Sequence, residues 1–242
     1  MTKLLYLEQF DLLETDAVII KFLRENEREV AILDQTVFYP QGGGQPYDQG
    51  RIESSDAVFR VEETRFIDGA VKHIGSFERG SFEIGEMVHC FVDRERRELL
   101  SRIHSVGHLV DRAVFDLGLG WIPGKGFHYP DGPYDEYKGS LEGVDREKIR
   151  MDIERLCNEY VQRGGKTELL FMDREEMKTK CYYVPDYSDE KESRARIVVH
   201  QGFYMPCGGT PVSDLSEIGH VIIRKVKPNG SETIRVGYDV ER

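Results

Sequence analysis

Two histidines four residues apart, His104 and His108, are the residues of this 242-residue chain whose spacing first suggests chemistry. They lie in the sequence HSVGH, within residues 96–118, which we predict to form an amphipathic helix. Side chains at positions i and i+4 share one face of a helix, so both imidazoles can reach a single metal ion. A zinc peptidase of the HExxH kind needs a glutamate after the first histidine, but that position holds Ser105. The pair therefore indicates either half of a metal site or two unrelated, partly buried histidines.

A third residue with the right chemistry, Cys207, stands much later in the chain. It follows a predicted strand and opens the glycine-rich sequence CGGTP, where a thiolate is a good soft ligand for zinc. Alone, Cys207 would be an ordinary turn or buried cysteine. Together with His104 and His108 it gives the three protein ligands of a catalytic zinc site, whose open position leaves room for water or substrate.

Three consecutive glycines, Gly42, Gly43 and Gly44, follow two aromatic residues and precede Gln45 and Pro46 in the sequence TVFYPQGGGQP. Backbone of this composition can adopt positive φ and can approach a ligand closely. The segment matches neither a Walker A loop nor the GxGxxG fingerprint. By itself it is equally compatible with a plain flexible turn.

Two differently patterned halves of the chain must position these motifs. The first half reads mostly as closely spaced strands, which predicts a small barrel-like β domain. In the second half, helical patterns at residues 96–118, 144–163 and 174–180 alternate with strand-like segments. We therefore expect an α+β protein, with a glycine-rich β-barrel-like domain at residues 1–93 and an α+β domain at residues 94–242. In the second domain the HxxxH helix is expected to pack on an antiparallel sheet.

The individual elements can be placed from the same patterns. The predicted strands are residues 16–22, 29–34, 51–63, 65–74, 87–93, 167–172, 197–201, 221–227 and 233–238, with a hairpin within residues 121–143. The charged run at residues 188–194 reads as a solvated loop. In the HxxxH helix, both histidines are expected on one face with Asp111 and Phe115. The apolar stripe on its other face is predicted to be Leu99, Ile103, Val106, Val110, Ala113, Val114 and Leu117.

Composition narrows the class of protein. Hydrophobic residues make up 39% of the chain and charged residues 32%, so we expect an ordered, soluble protein. Acidic residues interrupt the first segment and no long apolar run exists, so we expect no signal peptide, no membrane partner and a cytoplasmic location. The net charge of −11 argues against non-specific binding to nucleic acid. Local cations, which are either solvated surface or phosphate contacts, cluster at Arg94, Arg96, Arg97 and Arg102, and at Arg224, Lys225 and Lys227.

Three motifs in this order, DQTVFYPQGGGQP (residues 34–46), HSVGH (104–108) and CGGTPVSDLSEIG (207–219), closely resemble the alanyl-tRNA editing domain. The likeness is greatest to free-standing trans-editing proteins of the AlaX type, including the longer kind with a glycine-rich β domain before the editing domain. It extends over nearly the whole chain. The resemblance implies a hydrolase that cuts the ester between serine or glycine and the 3′-terminal adenosine of tRNA(Ala). Its partner would then be mischarged tRNA(Ala).

The metal motif of that family is HxxxH with CxxxH. The resemblance therefore implies a zinc cofactor held by His104, His108 and Cys207. The fourth position of the motif is Pro211 here, and proline has no side-chain donor atom. The groups that could take its place are Asp214, His200, His220 or a water molecule.

The need for such a site also follows from physical chemistry. Serine exceeds alanine by one hydroxyl, and an apolar pocket rejects an added hydroxyl only about a hundred-fold. Thr36 matches the family's threonine ahead of the Phe-Tyr pair, and its hydroxyl can donate to and accept from a seryl side chain. The alternative for Thr36 is an ordinary β-branched strand residue. No committed nucleophile stands out, so we expect attack by a water positioned by the metal site and the glycine loop.

These arguments give a defined set of site residues. Thr36, Gln45, His104 and His108 are expected to act on the ester. The residues expected to bind the substrate are Thr36, Gly42, Gly43, Gly44, Gln45, Gly208, Gly209 and Thr210. Two other functions stay open: a non-catalytic tRNA-binding relative with a degenerate metal site, and a metal-dependent hydrolase of another ester.

Overall fold

The structure, a computed structural model, describes residues 1–185 and 194–241. The predicted solvated loop at residues 188–194 lies outside these ranges, apart from Arg194. The chain contains two compact units. Unit 1 comprises Met1–Gly42 and Pro46–Leu99, and unit 2 comprises Gly43–Gln45 and Leu100–Arg242. The predicted boundary between two domains, after residue 93, stays a prediction.

Unit 1 contains a closed antiparallel barrel of strand order β2-β3-β7-β6-β5-β8. Its strands are β1 (Lys3–Leu4), β2 (Glu14–Glu25), β3 (Arg28–Leu33), β4 (Gln35–Thr36), β5 (Gly50–Glu53), β6 (Val58–Ile67), β7 (Ala70–Arg79) and β8 (Met87–Val92). In β8, Val88, Cys90 and Val92 alternate with more exposed residues, as expected for a strand that buries one face. The barrel confirms the barrel-like prediction for this part of the chain.

Two strand predictions in unit 1 are wrong at their boundaries. The segment predicted as one strand at residues 51–63 is two strands, because the turn sequence Ser-Ser-Asp lies inside it and Ser54 N donates to Ala57 O at 2.9 Å. The segment predicted at residues 65–74 crosses a hairpin turn. Asp68 and Gly69 adopt φ of 51° and 75° there, which are the two positive angles that a type I′ turn requires.

A buried ion pair closes the base of the glycine loop within unit 1. Asp48 N donates to Tyr39 O at 2.9 Å, and Tyr39 N donates to Asp48 Oδ2 at 2.6 Å, so the two ends of the loop are joined. Arg97 Nε lies 3.0 Å from both carboxylate oxygens of Asp48. The same guanidinium donates to the carbonyl oxygens of Phe10 at 2.9 Å and Val37 at 2.8 Å. Arg97 therefore connects the loop base to two further backbone segments.

The helices follow their sequence patterns closely. They are α1 (Arg94–Asp116), α2 (Arg146–Arg163) and α3 (Arg174–Lys180). Asp145 caps the N-terminus of α2, because its side chain accepts from Lys148 N at 3.0 Å. Gly164, with φ of 64°, follows the last residue of α2. No helix among the described residues combines the length and the apolarity needed to cross a membrane.

Unit 2 contains two antiparallel sheets, one of order β14-β15-β10-β9 and one of order β11-β12-β13. The strands are β9 (Ile122–Phe127), β10 (Tyr134–Lys138), β11 (Thr167–Met172), β12 (Ala195–His200), β13 (Phe203–Pro206), β14 (His220–Pro228) and β15 (Thr233–Glu241). The predicted hairpin is the β9–β10 pair. Helices combined with antiparallel sheets confirm the α+β class.

The core of unit 2 joins side chains of α1, α2 and the larger sheet. Ile103, Val106 and Val110 are buried in it with Tyr137 of β10. The prediction that Leu99 belongs to the apolar stripe is wrong, since Leu99 is 38% exposed. Helix α1 is buried all round between residues 100 and 110, so its two histidines are also removed from solvent.

Candidate metal centre

The three predicted metal ligands come together in unit 2. His104 and His108 lie one turn apart on α1, and Cys207 directly follows β13. One ligand atom from each lies within 4.8 Å of the others, and His104 Nε2 is 3.0 Å from Cys207 Sγ. Both histidines are buried and Cys207 is half-buried. Two imidazole nitrogens and one thiolate are a donor set that zinc prefers.

The protonation states of His104, His108 and Cys207 are compatible with binding of a metal cation. Burial lowers the pKa of His104 and of His108 well below the usual range, so both imidazoles are neutral, as metal ligands must be. Burial raises the pKa of the Cys207 thiol, while the Arg196 guanidinium and the Gly209 N–H favour its thiolate. His104 Nδ1 is buried and has no hydrogen-bond partner among the described residues. The residues therefore fit a zinc ion, which would stabilise the thiolate further.

A chain of hydrogen bonds fixes which nitrogen of His108 faces the group. Thr167 Oγ1 donates to Val212 O at 2.5 Å, so it accepts from His200 Nδ1, which is 3.3 Å away. His200 Nε2 then carries a lone pair and accepts from His108 Nδ1 at 3.3 Å. This leaves the lone pair of His108 Nε2 for a ligand. His200 thus orients a ligand and is not part of the group itself.

The fourth ligand position has no protein donor in the part of the chain that the structure describes. Asp214 Oδ1 accepts from Ser216 N at 2.9 Å and caps a short 3-10 helix at Leu215–Glu217. His220 is exposed. Pro211 is buried but offers no donor atom. Of the groups that the sequence leaves open, water is the one that fits, which is the arrangement of three protein ligands and an open position.

The end of the glycine loop belongs to the same unit as the metal group. Gln45 Nε2 donates to Thr210 Oγ1 at 2.7 Å, and Thr210 N donates to Gln45 Oε1 at 3.1 Å. Gly44 O accepts from His128 N at 2.9 Å. A Cβ atom on Gly44, whose φ is +79°, would lie 2.3 Å from Gly126 O. Glycine is therefore required at position 44 by both conformation and space.

A second close approach involves the turn that follows Cys207. A Cβ atom on Gly209 would lie 2.7 Å from both Gln45 Oε1 and His104 Nε2. Arg196 Nη1 holds this turn by donating to Cys207 O at 2.7 Å and to Gly209 O at 2.9 Å. The CGGT sequence thus lets a ligand histidine, the loop glutamine and the cysteine approach one another.

The metal group opens into a pocket of about 230 Å³ within unit 2. Its walls include Gly43 and Gly208, which were predicted to bind substrate, and Asp111, which was predicted on the histidine face. The β9–β10 hairpin adds His128 and Asp135 to the wall. The sequence patterns do not single out these two residues. The sequence feature that could have pointed to them is the polar segment FHYPDGPYDEY, but its pattern predicts only turns and a hairpin.

Two predicted site residues, Thr36 and Gly42, belong to unit 1. Thr36 is fully buried, and its Oγ1 lies 2.8 Å from His73 Nε2 and accepts from Phe38 N at 3.0 Å. His73 Nδ1 is 3.1 Å from Ala31 O and must donate to it, so Nε2 accepts the Thr36 proton. Burial lowers the pKa of His73 to about 4 and keeps it neutral. In this arrangement the Thr36 proton is directed at His73 Nε2, and the acceptor capacity of the hydroxyl remains. Recognition of a seryl side chain by Thr36 stays a prediction.

The first cluster of basic residues has structural partners. Arg97 is committed to Asp48, as described above. Arg102 is buried and donates to Ile218 O at 2.6 Å and to Glu241 O at 2.7 Å. These two arginines are therefore not phosphate contacts.

Comparison with known proteins identifies the family of the chain. A family model described as tRNA synthetases class II (A) matches residues 8–96, so this part of the chain is similar to that family model. The alanyl-tRNA editing protein AlaX-M of Pyrococcus horikoshii is 33% identical over 234 residues, which cover 94% of this chain and 91% of the relative. The chain belongs to the AlaX-type alanyl-tRNA editing proteins.

Proposed function

We propose that this protein hydrolyses the ester of mischarged tRNA(Ala) at a zinc site formed by His104, His108 and Cys207. Ser-tRNA(Ala) is the chief substrate and Gly-tRNA(Ala) the second. The observation that carries the proposal is the pocket of about 230 Å³, which is lined by both the three-ligand group and glycine backbone. A pocket of this volume is of the size needed for a small aminoacyl ester. The name of the Pyrococcus relative supports tRNA(Ala) as the nucleic-acid partner.

The residues of the pocket have distinct tasks in this reaction. Lewis-acid polarisation of the ester carbonyl is the chemistry that zinc supplies when such ligands bind it. His200 and Thr167 hold His108 in the tautomer that presents Nε2. The Gln45–Thr210 pair fixes the glycine loop against the CGGT turn. Exposed backbone at Gly208 offers polar groups that position the attacking water.

A deacylation assay tests the proposal directly. Purified protein is incubated with Ser-tRNA(Ala), Gly-tRNA(Ala) and Ala-tRNA(Ala), with and without a chelator. We expect cleavage of the seryl and glycyl esters, loss of activity with chelator, and recovery when zinc is added back. No cleavage by zinc-loaded protein at micromolar concentration would favour the non-catalytic tRNA-binding relative. Cleavage of simple esters but not of aminoacyl-tRNA would favour the hydrolase of another ester.

Thr36→Val is expected to reduce the preference for Ser-tRNA(Ala) over Ala-tRNA(Ala) by several-fold to about ten-fold. The resemblance implies that Thr36 contacts the seryl hydroxyl, and one hydrogen bond between neutral groups is worth about 0.5–1.5 kcal/mol. The ratio of kcat/KM values for the two substrates measures the effect. Thr36→Ser is the matched control, because it keeps the hydroxyl that His73 and Phe38 contact. An unchanged ratio in Thr36→Val would leave Thr36 with a purely structural role.

We further propose that the exposed face of the larger sheet binds the single-stranded acceptor end. The rings of Phe127 and Tyr129 stack with centroids 4.5 Å apart, and Tyr134 also stacks on Phe127, at 5.2 Å. The Arg235 guanidinium lies 4.3 Å from the Tyr134 ring centroid. A cavity of about 220 Å³ beside this stack is lined by residues that include Lys225 and Lys227. Aromatic rings and cations side by side suit bases and phosphates, even in a protein of net charge −11.

Replacing Lys225 and Lys227 together by alanine is expected to raise the KM for Ser-tRNA(Ala) several-fold with little change in kcat. Each lost phosphate contact should also reduce the slope of log K against log salt by about 0.7–1. Deacylation measured from 50 to 200 mM salt gives both quantities. Lys148→Ala together with Lys178→Ala removes the same charge from exposed helix positions and serves as control. Equal salt slopes in both double variants would contradict the assignment of this face.

A further inference from the structure

Asp135 on β10 is a buried carboxyl group in the wall of the candidate site that the metal group does not use. Its side chain is 7% exposed and lines the same pocket as His104 and His108. Its Oδ2 atom is buried and has no hydrogen-bond partner among the described residues. Leaving a buried carboxylate oxygen unpaired is costly, so such a group calls for an explanation.

The neighbours of Asp135 make the surroundings acidic and do not neutralise it. Asp111, which lines the pocket from α1, accepts a hydrogen bond from Tyr137 at 2.7 Å. The pKa of Asp135 is raised well above its usual range, first by burial and then by the charge of Asp111. His128 beside it is neutral, because burial lowers its pKa to about 4. Its Nδ1 lies 2.6 Å from Tyr238 Oη. Among the described residues, no ion pair joins either carboxylate to a cation.

Two glycines let α1 and β9 approach Asp135 and His128 closely. A Cβ atom on Gly107 of α1 would lie 2.7 Å from His128 Cε1 and 3.2 Å from Asp135 Oδ2, and one on Gly126 of β9 would lie 2.4 Å from His128 Nε2 and 3.1 Å from Asp135 Oδ1. Any other residue at these positions would therefore collide with His128 and crowd the carboxyl group. Gly107 also lies between His104 and His108 on α1, so Asp135 is close to the turn of α1 that carries the two histidines.

We propose that Asp135 binds the α-ammonium group of the aminoacyl ester. This inference rests on the proposed function, which places the ester carbonyl at the metal group in the same pocket. The ammonium is the positive charge that an aminoacyl ester carries at neutral pH, and a hydrogen bond between it and a carboxylate is charge-assisted. The raised pKa favours the protonated carboxyl before the ester binds. An ammonium at Oδ2 would favour the ionised form, so the carboxyl proton would pass to solvent as the ion pair forms. The substrate class is thereby restricted to esters with a free α-amino group.

Acetylation of the α-amino group tests the proposal, because it removes the charge and leaves the ester intact. Wild-type protein is expected to cleave Ser-tRNA(Ala) at least about ten-fold faster, in kcat/KM, than N-acetyl-Ser-tRNA(Ala). In Asp135→Asn the rate with Ser-tRNA(Ala) should fall about ten- to a hundred-fold, and the preference for the free amine should disappear. Asp135→Glu should retain part of the preference. Glu142→Gln, at an exposed carboxyl after the same strand, should behave as wild type.

Binding measurements separate this proposal from the proposed function. Calorimetry with seryl-3′-amino-3′-deoxyadenosine, whose amide bond resists cleavage, and with its N-acetyl form reports the same preference without catalysis. Amine-dependent binding that Asp135→Asn abolishes supports the proposal even if the wild type fails to deacylate tRNA. Equal preference for the free amine in wild type and Asp135→Asn, or equal binding of both analogues to the wild type, overturns it while leaving the deacylase assignment intact.

Discussion

Cys207→Ala protein is expected to lose stoichiometric zinc and to hydrolyse Ser-tRNA(Ala) at least about a hundred-fold more slowly than the wild type. Cys207 supplies the thiolate of the candidate group, and its Sγ lies 3.0 Å from His104 Nε2. Without the sulfur, two imidazoles remain, and the fourth position already lacks a protein donor because it is Pro211. Metal analysis after gel filtration and single-turnover deacylation measure the two losses. Thermal unfolding should change little, since a chain of this size does not depend on one ion for its core.

The control for this experiment is another cysteine of the same unit. Cys181 is also half-buried but lies outside the metal group, so Cys181→Ala should keep both zinc and activity. Zinc that stays stoichiometric in Cys207→Ala would show that the metal, if present, is bound elsewhere. Loss of zinc with full activity would separate the metal from the reaction and leave the pocket residues to act without it.

The metal group itself could be predicted because its geometry is mostly local. The i,i+4 spacing places His104 and His108 on one face wherever the helix begins, and the observed bounds of α1 differ from the prediction by two residues. Cys207 is assigned to the same group by its donor chemistry and by the metal motif of the family that the chain resembles. The Gln45–Thr210 contact, in contrast, joins residues 165 positions apart. The sequence could name both residues but could not predict that they bond to each other.

The partner of Thr36 shows where sequence reasoning ends. His73 reaches the Thr36 hydroxyl because β3 and β7 pair with Ala31 opposite His73. Which strands pair, and in which register, depends on the closure of the whole barrel and not on the local pattern. A histidine at position 73 reads as one more strand residue, yet it determines whether the threonine can donate a hydrogen bond. The same holds for Asp135, whose importance arises only when β10 lies beside α1.

The two proposed recognition elements divide the selection of substrates between them. Serine, glycine and alanine esters all carry the α-ammonium, so Asp135 can exclude blocked or uncharged esters but cannot separate these three. Separation of serine from alanine must come from a group that senses the side chain, for which Thr36 is the candidate. A double substitution at Asp135 and Thr36 should therefore combine the two losses additively, as independent sites do.

The second large effect concerns stability: Asp48→Ala is expected to lower the free energy of unfolding by about 3–5 kcal/mol. The side chain of Asp48 is 0% exposed and that of Arg97 is 3% exposed. Removing the carboxylate leaves the arginine charge buried without its counterion and takes away the acceptor for Tyr39 N. Because the Asp48 carboxylate also accepts from Tyr39 N at the other end of the glycine loop, the loop residues between 39 and 48 should exchange their amide hydrogens faster. Urea unfolding and hydrogen exchange measure the two consequences.

A comparison with an exposed ion pair separates burial from charge. Glu62, whose side chain is 35% exposed, contacts Arg28 at 3.1 Å and Arg60 at 2.7 Å, and Glu62→Ala should cost less than about 1 kcal/mol because solvent screens such pairs. If burial of an unpaired charge is the cause, Asp48→Leu combined with Arg97→Met should recover part of the stability lost in Asp48→Ala, since both charges are then absent. A loss in Asp48→Ala as small as that in Glu62→Ala would mean that water enters the loop base and solvates Arg97. The glycine loop would then be held by its other contacts, such as the hydrogen bonds of Gly44 O with His128 N and of Gln45 with Thr210.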